Sequence, residues 1–229
     1  MSDAFSGIRG LVFDFDGTLV DATVPICISF NAALVKFGAQ PVSDDHIKRL
    51  IGHPLRDMFP TILPGLTTNE IQQLIDEYRQ VFLPISTTLS KPMPGATAMI
   101  AYFKERCAMG IATSRITDGA ERILGAMGLL DAFDIIIGLD DVEHPKPHPE
   151  PVLKALARMH VEPCNAVMIG DVPNDILAGR AAGTMTIGVA SDQKARSELL
   201  DAGAHAVIAD LQELIPLLTL NDIASFRPL

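Results

Sequence analysis

Apolar and polar residues follow two patterns along most of the chain, and these patterns predict strands and helices in turn. The first fully apolar run is Leu11–Phe13, which is typical of a buried strand in a parallel sheet. After residue 92, similar runs alternate with amphipathic segments, as they do in a doubly wound parallel α/β sheet. The predicted strands are 109–113, 133–139, 166–170, 185–189 and 206–208, and the predicted helices before, between and after them include 96–105, 117–127, 149–159 and 173–182.

Residues 22–90 show helical spacing only. Within them Thr67 and Glu70 have the spacing of a capping box, which predicts the start of a long helix. Thr117 is the predicted N-cap of a later helix, because a hydroxyl side chain there can accept from an exposed main-chain N–H.

These patterns predict two domains. We expect an α/β core formed by residues 1–20 and 92–229, with a helical cap of residues 21–91 inserted after the first strand. The last ten residues are predicted to be a loosely held tail. A cap next to the end of the first strand is well placed to exclude water from a site there.

The composition is that of an acidic globular protein, with 48% apolar residues, 20% charged residues and a net charge of −10 over 229 residues. This charge argues against the broad basic face that nucleic acids and anionic membranes require. No apolar run reaches membrane-spanning length, and residues 1–10 lack the features of a signal peptide. We expect a cytoplasmic monomer or homodimer, with Cys27, Cys107 and Cys164 as buried hydrophobic residues rather than disulfides or zinc ligands.

The first predicted strand ends on two carboxylates, Asp14 and Asp16, followed by Gly17. Carboxylates at the end of a buried strand are costly to desolvate unless a cation or hydrogen-bond donors meet them. An ordinary turn stabilised by an Asp side chain is the alternative. In an open α/β sheet, however, ligands bind beyond the carboxyl ends of the strands.

Further polar residues follow the other predicted strands, and a doubly wound sheet would bring them to the same edge. Oxygen ligands alone favour Mg²⁺ over zinc, and a lysine with hydroxyl donors beside such a site describes a phosphate pocket. The residues concerned are Thr113, Ser114, Lys146, Asp171 and Asp175.

Four segments together resemble the motifs of the haloacid dehalogenase-like hydrolase superfamily. They are Asp14–Thr18, Thr113–Ser114, Lys146–Pro151 and Gly170–Asp175. Their order and separation match that superfamily, and residues 21–91 resemble the type-1 cap of its phosphoglycolate phosphatase-like branch.

The resemblance implies a reaction and roles for residues. Asp14 would be the nucleophile that forms an aspartyl-phosphate, and Asp16 would protonate the leaving group and then take a proton from water. Lys146 would bind phosphate and position Asp14. Thr113 and the N–H of Ser114 would hold the phosphoryl oxygens. The residues implied for Mg²⁺ are Asp14, Asp16 (through its carbonyl), Asp171 and Asp175. Asp175 would hold the metal through water, or would instead orient Lys146.

Some of these assignments have plainer alternatives. Asp175 could be a first-turn charge favoured by the helix dipole. Arg115 is expected to be solvated, with a contact to phosphate as the alternative. In the cap, His53 and Arg56 are candidate specificity residues that could meet a leaving group, although a charged residue of a short helix usually faces water.

The leading prediction is therefore a Mg²⁺-dependent phosphatase that acts on a small phosphorylated metabolite, with phosphoglycolate as the first candidate. Inorganic pyrophosphate hydrolysis uses the same residues. A phosphosugar mutase is a further alternative, although Gly170–Asp171 resembles the phosphatase form. A non-catalytic regulatory module is disfavoured by the intact carboxylates and lysine.

Overall fold

The computed structural model describes residues 7–219; the predicted tail lies outside them. The described chain forms two compact units. One contains the residues up to Val20 together with those from Pro92 onward, and the other is Asp21–Lys91.

Strands and helices alternate in the first unit as the sequence pattern predicts. Among residues 7–219 the strands are β1 (Gly10–Phe13), β2 (Val20–Asp21), β3 (Lys91–Pro92), β4 (Ala108–Ala112), β5 (Ile135–Ile137), β6 (Ala166–Gly170), β7 (Met185–Val189) and β8 (Ala206–Ile208). The helices are α1 (Thr23–Lys36), α2 (Asp44–Lys48), α3 (Leu55–Ile62), α4 (Thr68–Leu89), α5 (Ala96–Phe103), α6 (Thr117–Ala126), α7 (Glu150–Met159), α8 (Pro173–Ala182), α9 (Gln193–Asp201) and α10 (Leu214–Thr219).

The central sheet of the first unit is parallel, in the order β5-β4-β1-β6-β7-β8, while β2 pairs with β3 in a separate small sheet. Strand β1 lies between β4 and β6, where Phe13 is opposite Ile111 on one side and Ile169 on the other. The residues that follow these three strands therefore meet at one edge of the sheet. This architecture confirms the predicted doubly wound α/β fold class.

Both faces of the sheet are covered, which is why its strands are almost continuously apolar, with Thr186 of β7 as a polar residue. Val12 and Met168 pack in a cluster with residues of α7 and α8 on one face. Leu11 and Phe13 point to the other face by the alternation of side chains along a strand, and both are fully buried.

The second unit has its own apolar core between helices α1 to α4. The rings of Phe30 in α1 and Phe59 in α3 stack with their centroids 4.3 Å apart. The predicted capping box is present at the start of α4, because Thr67 N donates to Glu70 Oε2 at 2.8 Å and Glu70 N donates to Thr67 Oγ1 at 3.3 Å.

The structure corrects three details of the sequence analysis. Strand β5 covers three residues instead of seven, since Leu139–Asp141 forms a 3-10 turn. Thr117 is the first residue of α6 rather than its N-cap, because its hydroxyl donates to Asp141 Oδ2 at 2.6 Å. Cys164 is exposed, whereas Cys27 and Cys107 are buried as expected. None of the helices within residues 7–219 is long and apolar enough to cross a membrane.

Candidate active site

The polar residues predicted to converge do lie together at the carboxyl edge of the sheet. Asp14 follows β1, and its N–H donates to Ile169 O of β6 at 2.8 Å. Thr113 follows β4, and its N–H donates to Ile137 O of β5 at 3.0 Å. Asp171 follows β6. The sheet hydrogen bonds therefore continue by one residue into the site and fix the main chain beneath Asp14 and Thr113.

Lys146 joins two carboxylates in the interior of this site. Its Nζ donates to Asp14 Oδ1 at 2.5 Å and to Asp175 Oδ1 at 2.6 Å, and all three side chains are at most 3% exposed. Burial favours the neutral amine, but the charges of Asp14 and Asp175 outweigh it and raise the pKa of Lys146 above its ordinary value. Lys146 is therefore a cation, and its position depends on both carboxylates.

Asp175 lies in the first turn of α8, and its side chain has two functions there. Its Oδ2 accepts from Val172 N at 3.2 Å, as a first-turn acid does, while its Oδ1 accepts from Lys146. Gly170 makes room for this arrangement, because a Cβ at that position would overlap the Asp175 carboxyl group.

Asp171 is held on the other side of the site. Thr18 Oγ1 donates to Asp171 Oδ1 at 2.8 Å. Gly17 has a φ of +89°, which favours glycine, and a Cβ there would overlap the Asp171 carboxyl group. The Asp-Gly-Thr segment after β1 thus turns the chain closely around Asp171.

The electrostatics of the cluster fit a divalent cation. Burial, partly offset by Lys146, raises the pKa of Asp14 from 3.8 to about 7, and burial together with Asp14 and Asp175 raises the pKa of Asp171 well above its ordinary value. Asp14 Oδ2 is buried without a hydrogen-bond partner. Asp14, Asp171 and Asp175 each offer an oxygen within 4.8 Å of the others. A cation at this point would occupy the unpaired oxygen and relieve the repulsion.

The expectation that Arg115 is solvated is wrong. Its Nε and Nη2 donate to Asp16 Oδ2 and Oδ1 at 3.1 and 2.6 Å, forming a bidentate pair. The side chains of Arg115 and Asp16 are only 10% and 13% exposed. Arg115 follows Thr113 by two residues, and its main-chain N–H donates to Thr113 Oγ1 at 3.1 Å. Ser114, which stands between Thr113 and Arg115 in the sequence, is half-buried.

The sequence profile of the haloacid dehalogenase-like hydrolases matches residues 11–189, which include every residue of this cluster. The chain belongs to this family. A pyrophosphatase, PpaX of Anoxybacillus flavithermus, is 34% identical over 92% of this chain and 97% of its own. The probable phosphatase IndB of Dickeya dadantii is 32% identical over 90% and 91% of the two chains. A haloacid dehalogenase-like protein of Bacteroides fragilis superposes with a TM-score of 0.82 at 31% identity, covering 90% of this chain and 99% of its own.

Family membership confirms the predicted hydrolase class and the resemblance on which it was based. The roles that the resemblance implies for individual side chains stay predictions. Of the predicted residues, the structure groups Asp14, Lys146, Asp171 and Asp175 directly, with Asp16, Thr113 and Ser114 at the same sheet edge.

The two cap candidates lie in the second unit. His53 precedes α3, with its Nδ1 3.2 Å from Leu50 O, and Arg56 is in the first turn of α3. Both are exposed. Exposure is compatible with solvation and with substrate contact alike, so their role in specificity stays a prediction.

Arg115 is the site residue whose role the sequence analysis missed. The available signal was its position two residues after Thr113, at the same sheet edge as Asp16. A cation next to carboxylates at one edge should be weighed as their partner before it is assigned to solvent.

Proposed function

We propose that this protein is a Mg²⁺-dependent phosphatase that hydrolyses a small phosphorylated metabolite through a phosphoryl group carried on Asp14. The supporting observation is the pairing of buried Lys146 with Asp14 and Asp175, next to an unpaired oxygen of Asp14. Asp14 would attack an anionic phosphate group, so it needs an unpaired oxygen and a nearby positive charge that lowers the repulsion. The unpaired oxygen of Asp14 and the charge of Lys146 provide both.

The proposed reaction has two steps. The Asp14 carboxylate attacks phosphorus while the bond to the leaving oxygen breaks, and Asp16 gives that oxygen a proton. Asp16 then takes a proton from water, whose oxygen attacks phosphorus, so that inorganic phosphate leaves and Asp14 is regenerated. Both steps use the same two carboxyl groups.

The other residues at the sheet edge would bind and neutralise the phosphoryl group. The positive charge of Lys146 lies next to Asp14. Thr113 and the N–H of Ser114 would donate to phosphoryl oxygens. When bound, Mg²⁺ supplies positive charge that lowers the repulsion between phosphate and carboxylate. Its proposed ligands are Asp14, Asp171, the Asp16 carbonyl and Asp175, the last directly or through water.

Phosphoglycolate remains the first candidate substrate, from the resemblance of the four motifs and the cap. Pyrophosphate is a second candidate, which the 34% identity to a pyrophosphatase favours. Both carry a second anionic group close to the scissile bond. We propose His53 and Arg56 of the cap as residues that contact the leaving group, and a cytoplasmic monomer or homodimer as the working form.

The test is phosphate release from a panel of phosphoglycolate, pyrophosphate, sugar phosphates and nucleoside monophosphates. We expect turnover with Mg²⁺, its loss on addition of EDTA, and its return when Mg²⁺ is added in excess. Turnover that EDTA does not affect would contradict the metal assignment. Absence of turnover across the panel would contradict the phosphatase assignment and favour a mutase or a regulatory protein.

A further inference from the structure

Arg115 forms an ion pair with Asp16, the residue that we propose as the general acid. The two carboxylate oxygens of Asp16 each accept from one nitrogen of Arg115, at 2.6 and 3.1 Å. With both oxygens facing the guanidinium, the carboxyl group has to turn from Arg115 before it can reach a leaving-group oxygen. The observed pair is therefore a resting arrangement.

Arg115 is the fixed member of this pair. Its main-chain N–H donates to Thr113 Oγ1, and its carbonyl oxygen accepts from Leu139 N at 2.8 Å. Its guanidinium carbon lies 5.6 Å from the centre of the buried Phe15 ring, in a cation–π arrangement. When the pair opens, Asp16 is the residue that moves.

When Asp16 turns away, another anion with the geometry of a carboxylate can take its place at the guanidinium. The Arg115 side chain is only 10% exposed, so water compensates its charge poorly. Its planar pair of donors matches a carboxylate or a phosphate group in the same bidentate way. Because Asp16 must reach the leaving oxygen, an anion that replaces it at Arg115 belongs to the leaving group.

We propose that Arg115 is a specificity-determining residue that selects substrates whose leaving group carries a second anionic group. Binding of that carboxylate or phosphate to Arg115 displaces the Asp16 carboxylate, which takes up a proton from water and then turns to the leaving oxygen. The inference rests on the proposed function, because it takes Asp16 as the acid. It assigns recognition of the leaving-group charge to the α/β core, in addition to any contact from the cap.

The test uses analogues that cannot be hydrolysed, so that binding is measured without turnover. Calorimetry in Mg²⁺ buffer would compare 3-phosphonopropionate and methylenebisphosphonate, which carry a second anion, with propylphosphonate, which does not. We expect the wild-type protein to prefer the anionic analogues by about 10-fold or more, and Arg115→Met to abolish that preference. Loss confined to 3-phosphonopropionate would identify a carboxylate leaving group, and loss confined to methylenebisphosphonate a phosphate.

Two controls separate recognition from folding. Arg122→Met removes an exposed arginine of α6, which pairs with Asp118 at 2.7 Å, and should leave the preference unchanged. Arg115→Lys keeps the charge without the planar pair of donors and should retain part of the preference. Should Arg115→Met fail to fold by circular dichroism, Arg115→Gln replaces it, because it keeps polar contacts but removes the charge.

Kinetics give a second readout with a matched pair of substrates, phosphoglycolate and 2-hydroxyethyl phosphate. Arg115→Met should lower kcat/KM for phosphoglycolate about 10-fold more than for the uncharged analogue. Equal losses for both would show that Arg115 only positions Asp16 and would overturn the inference, as would an unchanged binding preference or none in the wild type. Anion preference that depends on Arg115 without any turnover would reject the proposed phosphatase, and with it the movement of Asp16 to a leaving oxygen, and would keep only the binding of a second anionic group by Arg115.

Discussion

Lys146 is the residue on which the arrangement of the site depends most. It separates two buried carboxylates that would otherwise face each other without compensation. We expect Lys146→Met to lower the free energy of unfolding by roughly 3 kcal/mol, because it leaves buried charge unpaired. Urea denaturation in EDTA measures this loss.

A double variant tests the cause of that loss. Lys146→Met with Asp175→Asn removes one of the stranded carboxylates, so the double variant should be more stable than the sum of the single effects implies. Lys194→Met is the control, because Lys194 is exposed and pairs only loosely with Glu198 at 3.7 Å. Additive effects, or a Lys146→Met variant as stable as the control, would contradict the assignment.

Asp14 has the strictest chemical requirement of any residue in the site. Asp14→Asn keeps the shape of the side chain but removes the carboxylate that we propose as the nucleophile, so we expect activity to fall on the order of 10⁴-fold or more. The circular dichroism spectrum should be that of the wild-type protein. Asp118→Asn, on the exposed face of α6, is the matched control. Near-wild-type turnover by Asp14→Asn would falsify the covalent mechanism.

For individual residues, the sequence correctly predicts which side chains meet when those residues directly follow a strand of the parallel sheet. Asp14 and Asp171 each follow an apolar run, so a parallel sheet alone brings them to one edge. The pairing of Asp16 with Arg115 spans 99 residues and depends on how two loops bend after their strands. No periodicity encodes that bend, so Arg115 was wrongly expected to be solvated.

Among the secondary-structure elements, the turn from β6 into α8 sets the position of Asp175. A methyl group at Gly170 would overlap the Asp175 carboxyl group. We expect Gly170→Ala to destabilise the protein by about 1–3 kcal/mol, as overpacking does, and to lower activity by displacing the partner of Lys146. Thermal unfolding and phosphate release measure the two effects.

Gly125 offers the matched control for this substitution. It lies inside α6, and a Cβ there would meet no atom within 4 Å apart from its chain neighbours and the backbone of its own helix. Gly125→Ala should therefore stabilise the protein by about 0.5–1 kcal/mol, because alanine loses less conformational entropy in a helix. Opposite signs for the two Gly→Ala variants are expected; equal signs would contradict the role assigned to Gly170.

The elements differ in how far the sequence determined them. Strand β6 was predicted at 166–170 and found there, since a fully buried strand has an uninterrupted apolar run. The end of β5 was misplaced, because the chain after Ile137 is held by contacts with α6. There Thr117 N donates to Asp140 Oδ1 at 2.9 Å, and Gly138 N donates to Thr117 Oγ1 at 3.1 Å. Such contacts between distant segments leave no periodic pattern.

For the whole molecule, we expect the carboxylates gathered at the sheet edge to link stability to pH and to the proposed metal. Asp14 and Asp171 both have a raised pKa in the fold, which means that the metal-free folded state binds protons more tightly than the unfolded chain. Glu150 acts in the opposite sense, because hydrogen bonds from Lys154 and from the main-chain N–H of Glu143 lower its pKa from 4.5 to about 2. Its contribution is complete above the higher value and is lost as the pH falls through the lower one.

The sign of the pH effect follows from the direction of these shifts. For Asp14, the pKa rises from 3.8 to about 7 on folding, so its stabilising contribution is complete below the lower value and is lost as the pH rises through the higher one. A bound divalent cation replaces the protons and removes this loss.

The melting temperature in Mg²⁺ minus that in EDTA should therefore grow by several degrees from about pH 5 to about pH 8. Asp171→Asn removes one ligand and one repelling charge, so it should raise the melting temperature in EDTA at the upper pH and flatten the difference. A difference that stays constant across this range, or grows equally in Asp171→Asn, would show that the cluster is not the metal site.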